Sequence, residues 1–245
     1  MNIIFFGTPV FVLPIIESLR QNFNLVKVVS SKTPDIEIKN LAVIKPDLFV
    51  VAAYGKIIPQ LILDIPKFGS LNIHPSLLPK YRGASPIQAA ILNGDHKTGI
   101  SIIKIDKQMD HGPIIYQDEY TISSEDTLES LSQELFLHAA EILPKVIRDF
   151  ISGQIIPKPQ PDAQASYTWK TLDTKKMAYV DLENLPTPAE LDLKIRAFYP
   201  EPGAWTIWRS KHIKFLPDGK VQMAGKKAVL LKDFLNGYPE FPIRR

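Results

Sequence analysis

Over its first two thirds the chain alternates short, nearly continuous apolar runs with segments whose apolar residues recur every three or four positions. Runs without polar alternation suit strands buried on both faces, so the pattern predicts an α/β domain on a mainly parallel sheet. Strands are expected at Asn2 to Phe6, Val26 to Ser30, Asp47 to Ala52 and Ser70 to Ile73, then at Thr98 to Asp106 and Ile114 to Ile122. Thr8 is placed to cap a helix entered through Pro9, and Ser85-Pro86 repeats that start for a helix ending near Asn93-Gly94. Only a short helical candidate, about Ile36 to Ile44, separates the second and third strands. A long amphipathic helix is expected from Thr127 to about Phe150, with an interruption at Pro144.

Pro157-Lys158-Pro159-Gln160-Pro161 is stiff and reads as a linker, which divides the chain into a first domain over 1–153, a linker over 154–170 and a small domain over 171–245. In the small domain, Thr187-Pro188-Ala189-Glu190 satisfies a capping box for a helix through about Phe198. Ala204 to Arg209, His212 to Leu216 and Ala228 to Lys232 read as strands, with a turn at Pro217-Asp218-Gly219. The expected architecture there is β-rich, a shortened OB-like barrel.

With 245 residues, 45% of them hydrophobic and 22% charged, the chain can bury a sizeable core, which excludes a disordered polar protein. It has no cysteine, so disulfides and thiolate chemistry are excluded and a reducing cytoplasm is the expected location. The opening MNIIFFGTP lacks a basic leader and no apolar run approaches a membrane span, so no membrane association is expected. No histidine pairs with another at the spacing of helical metal ligands, so no metal is expected. The turn Phe6-Gly7-Thr8-Pro9 has neither the three-glycine dinucleotide fingerprint nor a Gly-Lys-Ser/Thr loop, which leaves nicotinamide and ATP unsupported. A net charge of +3 names no polyanionic partner.

The most informative stretch is Leu71-Asn72-Ile73-His74-Pro75-Ser76-Leu77-Leu78-Pro79-Lys80-Tyr81-Arg82-Gly83. Residues two apart on a strand share a face, so Asn72 and His74 project together where Pro75 and Pro79 turn the chain out of the sheet. An amide donor beside an imidazole suits acyl transfer: one stabilises an oxyanion and the other moves a proton. The pattern alone is equally compatible with a strand-end Asn and a structural His.

His74-Pro-Ser76-Leu-Leu78-Pro79 followed by Gly83, with Asp110 in Met109-Asp110-His111-Gly112-Pro113, resembles the signature of the folate-dependent formyltransferases. The run from Ser76 to Gln88, with Phe6 to Pro9 and Ile195 to Trp205, resembles the methionyl-tRNA formyltransferase branch in particular. That resemblance implies a Rossmann-like domain transferring a formyl group from 10-formyltetrahydrofolate to an amine. It implies catalytic roles for Asn72 as oxyanion donor, for His74 as oxyanion stabiliser or proton shuttle, and for Asp110 as the group that holds His74. Folate contacts are implied for Tyr54, Gly55, Lys56, Ile57, Ile58 and Pro59, for Ser76, Leu77, Leu78 and Pro79, and for Lys107, Gln108 and Met109. Read without the resemblance, Ile57 and Ile58 are core residues and Asp110 is a turn former.

The acceptor is read from the small domain. Between Ala204 and Ala228, Arg209, Lys211, Lys214, Lys220, Lys226 and Lys227 stand against a single acid, Asp218, with Trp205, Trp208 and Phe215 interleaved, which suits either RNA contact or a solvated strand face. The resemblance implies initiator methionyl-tRNA as partner, with Arg82, Arg209, Lys211 and Lys214 as its contacts and a monomeric enzyme. The alternatives are an N-formyltransferase acting on a nucleotide-linked amino sugar and a non-catalytic RNA-binding protein on the same scaffold. One departure stands out: only Ser31 to Lys45 follows the second strand, where the translation enzymes carry a long basic loop, a helix and an edge strand.

Overall fold

The computed structural model describes residues 1–8, 10–169 and 173–244, and the expected helix start at Pro9 lies outside them. The chain divides into two compact units, Met1–Pro86 with Lys97–Thr121 and Ser132–Lys170, and Ile87–His96 with Ile122–Leu131 and Thr171–Arg245.

The first unit is built on a six-stranded sheet of β1 (Asn2–Phe6), β2 (Asn24–Val29), β3 (Leu48–Ala52), β4 (Ser70–His74), β5 (Lys97–Lys104) and β6 (Ile114–Thr121), in the order β2-β1-β3-β4-β5-β6. β1 pairs in parallel with β2 and β3, and β3 with β4, whereas β4–β5 and β5–β6 are antiparallel. β1 and β3 lie inside the sheet, and Ile3, Ile4, Phe5 and Phe6 face Leu48, Phe49, Val50 and Val51 as buried rows, which explains their unbroken apolar sequence. β2 forms the edge, so a segment lost after it leaves the interior strands paired. Short helices α1 (Leu13–Asn22), α2 (Asp35–Lys39) and α3 (Gln60–Leu63) fill the crossovers.

Two local expectations change. Thr8 does not cap a helix, since α1 starts later, behind a 3-10 turn and without a side-chain cap. Its hydroxyl donates to the Tyr54 carbonyl at 3.2 Å and accepts from the Ser31 amide at 3.0 Å, which ties together the segments leaving β1, β2 and β3. Pro144 does not interrupt the long helix either. After α4 (Pro86–Leu92), helix α5 runs from Leu128 to Ile151 with Pro144 inside. Proline removes the bond to the carbonyl four residues back, that of Ala140, and the Ser18 hydroxyl donates to this oxygen instead at 2.6 Å.

The second unit holds α6 (Thr174–Ala178), α7 (Pro188–Phe198), the antiparallel strands β7 (Ala204–Trp208), β8 (Lys211–Leu216), β9 (Lys220–Met223) and β10 (Val229–Leu230), and α8 (Leu231–Gly237). Thr187 and Glu190 form the capping box of α7, with Thr187 N–H donating to Glu190 at 2.8 Å. The sheet is an open meander in the order β10-β9-β8-β7, and the expected final strand gives way to α8 after two residues. Ile213, Phe215, Val221 and Met223 line its inner face with Phe234, Phe241 and Ile243.

The boundary expected at 153 is displaced. Residues 154–169 are fastened to the first unit, where Lys158 and Ile114 exchange backbone hydrogen bonds of 2.8 Å each. Pro157, Pro159 and Pro161 have no N–H, so the donors come from the alternate residues and the segment acts as a sheet-edge strap. Residues 87–96 and 122–131 join the second unit, where Arg196 of α7 donates to the Asp126 carbonyl at 3.0 Å. Among the described residues no helix is long and apolar enough to cross a membrane.

Candidate active site

β4 lies between β3 and β5, with Asn72 opposite Val51 on one side and Ile103 on the other, so its end is fixed from both flanks. Asn72 and His74 reach the same carboxylate. Asn72 Nδ2 donates to Asp110 Oδ1 at 3.0 Å, and His74 Nδ1 stands 3.6 Å from Asp110 Oδ2. The Gly83 amide donates to that second oxygen at 2.8 Å. The structure thus brings together the three residues singled out as catalytic and adds a backbone donor from the loop that follows them.

His74 is buried, and its other nitrogen, Nε2, lies 2.9 Å from the Tyr81 carbonyl. A carbonyl only accepts, so Nε2 carries the hydrogen and Nδ1 is the nitrogen turned to Asp110. Asn72 Nδ2 has two hydrogens and Asp110 takes one, which leaves the second for an oxygen arriving beside β4.

Glycines make this closeness feasible. A Cβ on Gly83, which has φ +114°, would lie 2.5 Å from the Thr168 hydroxyl, and one on Gly112 would lie 1.8 Å from the Lys104 carbonyl oxygen. Asp110 itself adopts φ 51°, a left-handed turn that Asp tolerates better than most residues.

The loop after β4 is tied down from within. Ser76 Oγ donates to the Lys80 carbonyl at 2.6 Å, Ser101 Oγ donates to the Ser76 carbonyl at 2.6 Å, and the Leu78 amide donates to Ser101 Oγ at 3.0 Å. Gln117 Nε2 donates to the Leu78 carbonyl at 2.9 Å. Ser76 and Leu78, both expected to contact folate, are buried, and these bonds engage their polar groups in shaping the loop. Leu77 and Pro79 remain half-buried.

The remaining folate candidates divide. The Tyr54 ring is buried edge-on to Phe6 at 5.3 Å, and Ile58 packs on the cluster of Ile4, Phe6, Val29 and Phe49. Ile57 is instead 86% exposed and Met109 61% exposed, which leaves both side chains accessible to a ligand. Gly55, Lys56, Pro59, Lys107 and Gln108 are also exposed.

Arg82 is not a surface cation. It is 1% exposed, and its Nε and Nη2 donate to Gln160 Oε1 at 3.0 and 2.9 Å, Nη2 to Asp162 at 2.9 Å and Nη1 to Tyr167 Oη at 3.1 Å. Burial opposes its charge, but the hydrogen bonds to Tyr167 and Asp162 outweigh that cost and hold its pKa above the ordinary value. Direct contact with an RNA phosphate is therefore closed to it. Sequence reading missed Gln160 and Tyr167, which sit in the supposed linker. The signal was the alternation of prolines with polar residues, which places Lys158, Gln160 and Asp162 on one side of an extended strap.

His111, next to Asp110, places Nδ1 2.6 Å from Asp106 Oδ2 and Nε2 3.4 Å from Asp162 Oδ2. The hydrogen bond to Asp106 outweighs partial desolvation and, with the charges of Asp106 and Asp162, raises its pKa above the ordinary range. Arg82, then His111, keep the Asp162 carboxyl below its usual range, so Asp162 stays ionised while His111 titrates. A raised folded-state pKa stabilises fully below the unfolded value of about 6.5 and ceases to do so as pH climbs through the folded value. Melting temperature is accordingly expected to fall with pH in that window, and His111→Gln to flatten the decline. Wild-type and variant melts that decline equally across the window would expose the idea as wrong.

In the second unit the proposed RNA contacts do not share a face. Lys214 lies on the outer face with Trp205, whose ring stacks on His212 at 4.9 Å, and it stands 3.7 Å from Glu201. Lys211 pairs with Trp208 on the opposite side of the strand. Arg209, in the turn, covers the Trp208 ring at 4.6 Å and meets Glu240 at 3.2 Å. Among the described residues no cluster of His, Cys, Asp and Glu could hold a metal ion.

A family profile described as formyl transferase matches residues 27–147. A methionyl-tRNA formyltransferase of Dictyoglomus thermophilum is 33% identical over 247 residues, covering 87% of this chain and 78% of that protein. The methionyl-tRNA formyltransferase of a Roseiflexus species is 42% identical over 180 residues, covering 73% of this chain but 54% of its own length. Three solved structures share the fold. Methionyl-tRNA formyltransferase from Clostridium thermocellum superposes with a TM-score of 0.70 at 21% identity, covering 94% of this chain and 99% of that one. A likely sugar N-formyltransferase from Mycobacterium tuberculosis gives 0.74 at 21% identity, covering 92% and 99%. HypX from Aquifex aeolicus in complex with tetrahydrofolic acid gives 0.74 at 17% identity, covering 98% and 48%.

Proposed function

The chain belongs to the methionyl-tRNA formyltransferase family, and on that premise we propose that it transfers the formyl group of 10-formyltetrahydrofolate to the amino group of methionyl-tRNA. The observation that carries this reading is the convergence of Asn72, His74 and the Gly83 amide on the Asp110 carboxylate at the end of β4.

In this reaction the amine nitrogen attacks the formyl carbon, and negative charge gathers on the formyl oxygen. The second N–H of Asn72 donates to that oxygen. A preorganised donor of this kind lowers the barrier by about 3 kcal/mol. The amine sheds a proton as the new C–N bond forms, and His74 Nδ1, the nitrogen not held by Tyr81, receives it. Asp110 balances the imidazolium charge and fixes the amide and the ring in one geometry. The bond between the formyl carbon and the folate nitrogen then breaks, and the proton passes to the departing nitrogen. Every bond broken is matched by one formed, and no covalent enzyme intermediate is needed.

Exposed Ile57 and Met109 support folate contact through the segments 54–59 and 107–109, and half-buried Leu77 and Pro79 are further candidates. At a folate concentration 100 times its dissociation constant, selective binding to the folded state stabilises by about 2.7 kcal/mol. A non-reactive folate analogue is expected to raise the melting temperature accordingly, and NAD or ATP to leave it unchanged. The opposite pattern would remove the cofactor assignment.

Arg209, Lys211 and Lys214 remain the candidate tRNA phosphate contacts, and two of them already meet surface carboxylates, an interaction of small value in water. Neutralising all three is expected to make the logarithmic salt slope of tRNA binding shallower, by at most about 0.9 per lost contact. Without a basic loop after β2, initiator and elongator methionyl-tRNA are expected to be discriminated less sharply than by the longer relatives.

A further inference from the structure

We propose that Gln160 is a positioning residue for formyl transfer, acting through the backbone of the Asp110 turn. The inference rests on the formyl-transfer reading above. Gln160 is buried, and its Nε2 donates to two carbonyls at once, that of Asp110 at 2.9 Å and that of Gly112 at 2.8 Å. Its Oε1 accepts from Nε and Nη2 of Arg82.

The orientation of this amide is dictated by its surroundings. Arginine offers donors only, and carbonyls accept only, so the oxygen faces Arg82 and the nitrogen faces the turn. Arg82 is in turn locked by Asp162 and Tyr167, and its backbone is laced to the strap: its amide donates to the Ser166 carbonyl at 2.8 Å, and the Thr168 amide donates to the Arg82 carbonyl at 2.8 Å. The Tyr81 amide donates to Ser166 Oγ at 2.9 Å, on the same residue whose carbonyl holds His74. The strap therefore grips both sides of the reacting cluster, the Asp110 turn through Gln160 and the Tyr81–Arg82 backbone through Ser166 and Thr168.

Asp110 depends on this grip. Its backbone is left-handed and its carboxylate must meet Asn72, His74 and Gly83 together. A glutamine that clamps the two carbonyls flanking His111 sets where the carboxylate stands, although it touches none of the reacting atoms. Displacements of about 1 Å in such groups cost about 100-fold in rate.

The test uses Gln160→Glu and Gln160→Met in the full chain. Glutamate still accepts from Arg82 but cannot donate to the two carbonyls, while methionine fills the volume without either role. Both variants are expected to lose about 100-fold in kcat with KM for the folate changed by less than about threefold. In both, the ring-nitrogen resonances of His74 are expected to shift, because the carboxylate facing Nδ1 moves. A packing role alone would lower the melting temperature and leave kcat and the His74 spectrum as in the wild type. That pattern, in whichever variant folds, overturns the proposal. Absence of formyl transfer by the wild-type enzyme would instead refute the functional reading, and the His74 spectrum of the variants would still decide the positioning role.

Discussion

Asn72→Ala, His74→Gln and Asp110→Asn are each expected to slow formyl transfer by about 10²- to 10³-fold while leaving the far-ultraviolet circular dichroism of the folded protein unchanged. The substitutions are chosen against the hydrogen bonds present. His74→Gln can still donate to the Tyr81 carbonyl, and Asp110→Asn can still accept from Gly83, so the loop after β4 keeps its anchors. What each variant loses is its part in one transition state: the donor to the oxyanion, the proton acceptor, or the charge that balances the imidazolium. Because the three act as a unit, the double variant Asn72→Ala with Asp110→Asn should be scarcely slower than either single one. Single-turnover rates measure this directly. A variant that keeps turnover within about threefold of the wild type would strike its residue from the mechanism.

Arg82→Leu is expected to destabilise the fold by about 3 kcal/mol, because it leaves the buried oxygen of Gln160 without a donor and releases Asp162 and Tyr167. For a chain of this length that corresponds to a melting temperature lower by roughly 6–12 °C. Chemical denaturation checks the size of the effect. The outcome separates two uses of the same residue, since an arginine that merely touched RNA phosphates would leave stability intact and weaken only salt-dependent binding. A stable Arg82→Leu protein with impaired tRNA affinity would restore the surface role that its burial denies.

The sequence made the sheet legible because buried strands must be apolar on both faces, and β1 and β3 announce themselves by that rule alone. Asn72 and His74 were legible as a pair, since a period of two places them on one face whatever surrounds them. Asp110 was tied to them through the motif it sits in, because a contact between residues 38 apart leaves no local signal. The strap was misread for the same reason. Three prolines look like a spacer until a partner strand supplies the acceptor and donor that Lys158 exchanges with Ile114. Arg82 was misread because a cation is exposed by default, and only Gln160, Asp162 and Tyr167, all distant in sequence, allow it to be buried. Pro144 shows the limit of a local rule: the carbonyl it orphans is rescued by Ser18, more than a hundred residues earlier, and the helix continues.

Formyl donor and acceptor can be identified together in one assay. The purified protein is supplied with 10-formyltetrahydrofolate and, in parallel, with methionyl-tRNA or a nucleotide-linked amino sugar, and formyl incorporation is followed over the first turnovers. Rapid formylation of methionyl-tRNA, slowed about 100-fold or more by Asp110→Asn and absent with the amino sugar, is the result expected. Formylation of the amino sugar with no transfer to methionyl-tRNA would contradict the assignment of the acceptor while keeping the chemistry of Asn72, His74 and Asp110.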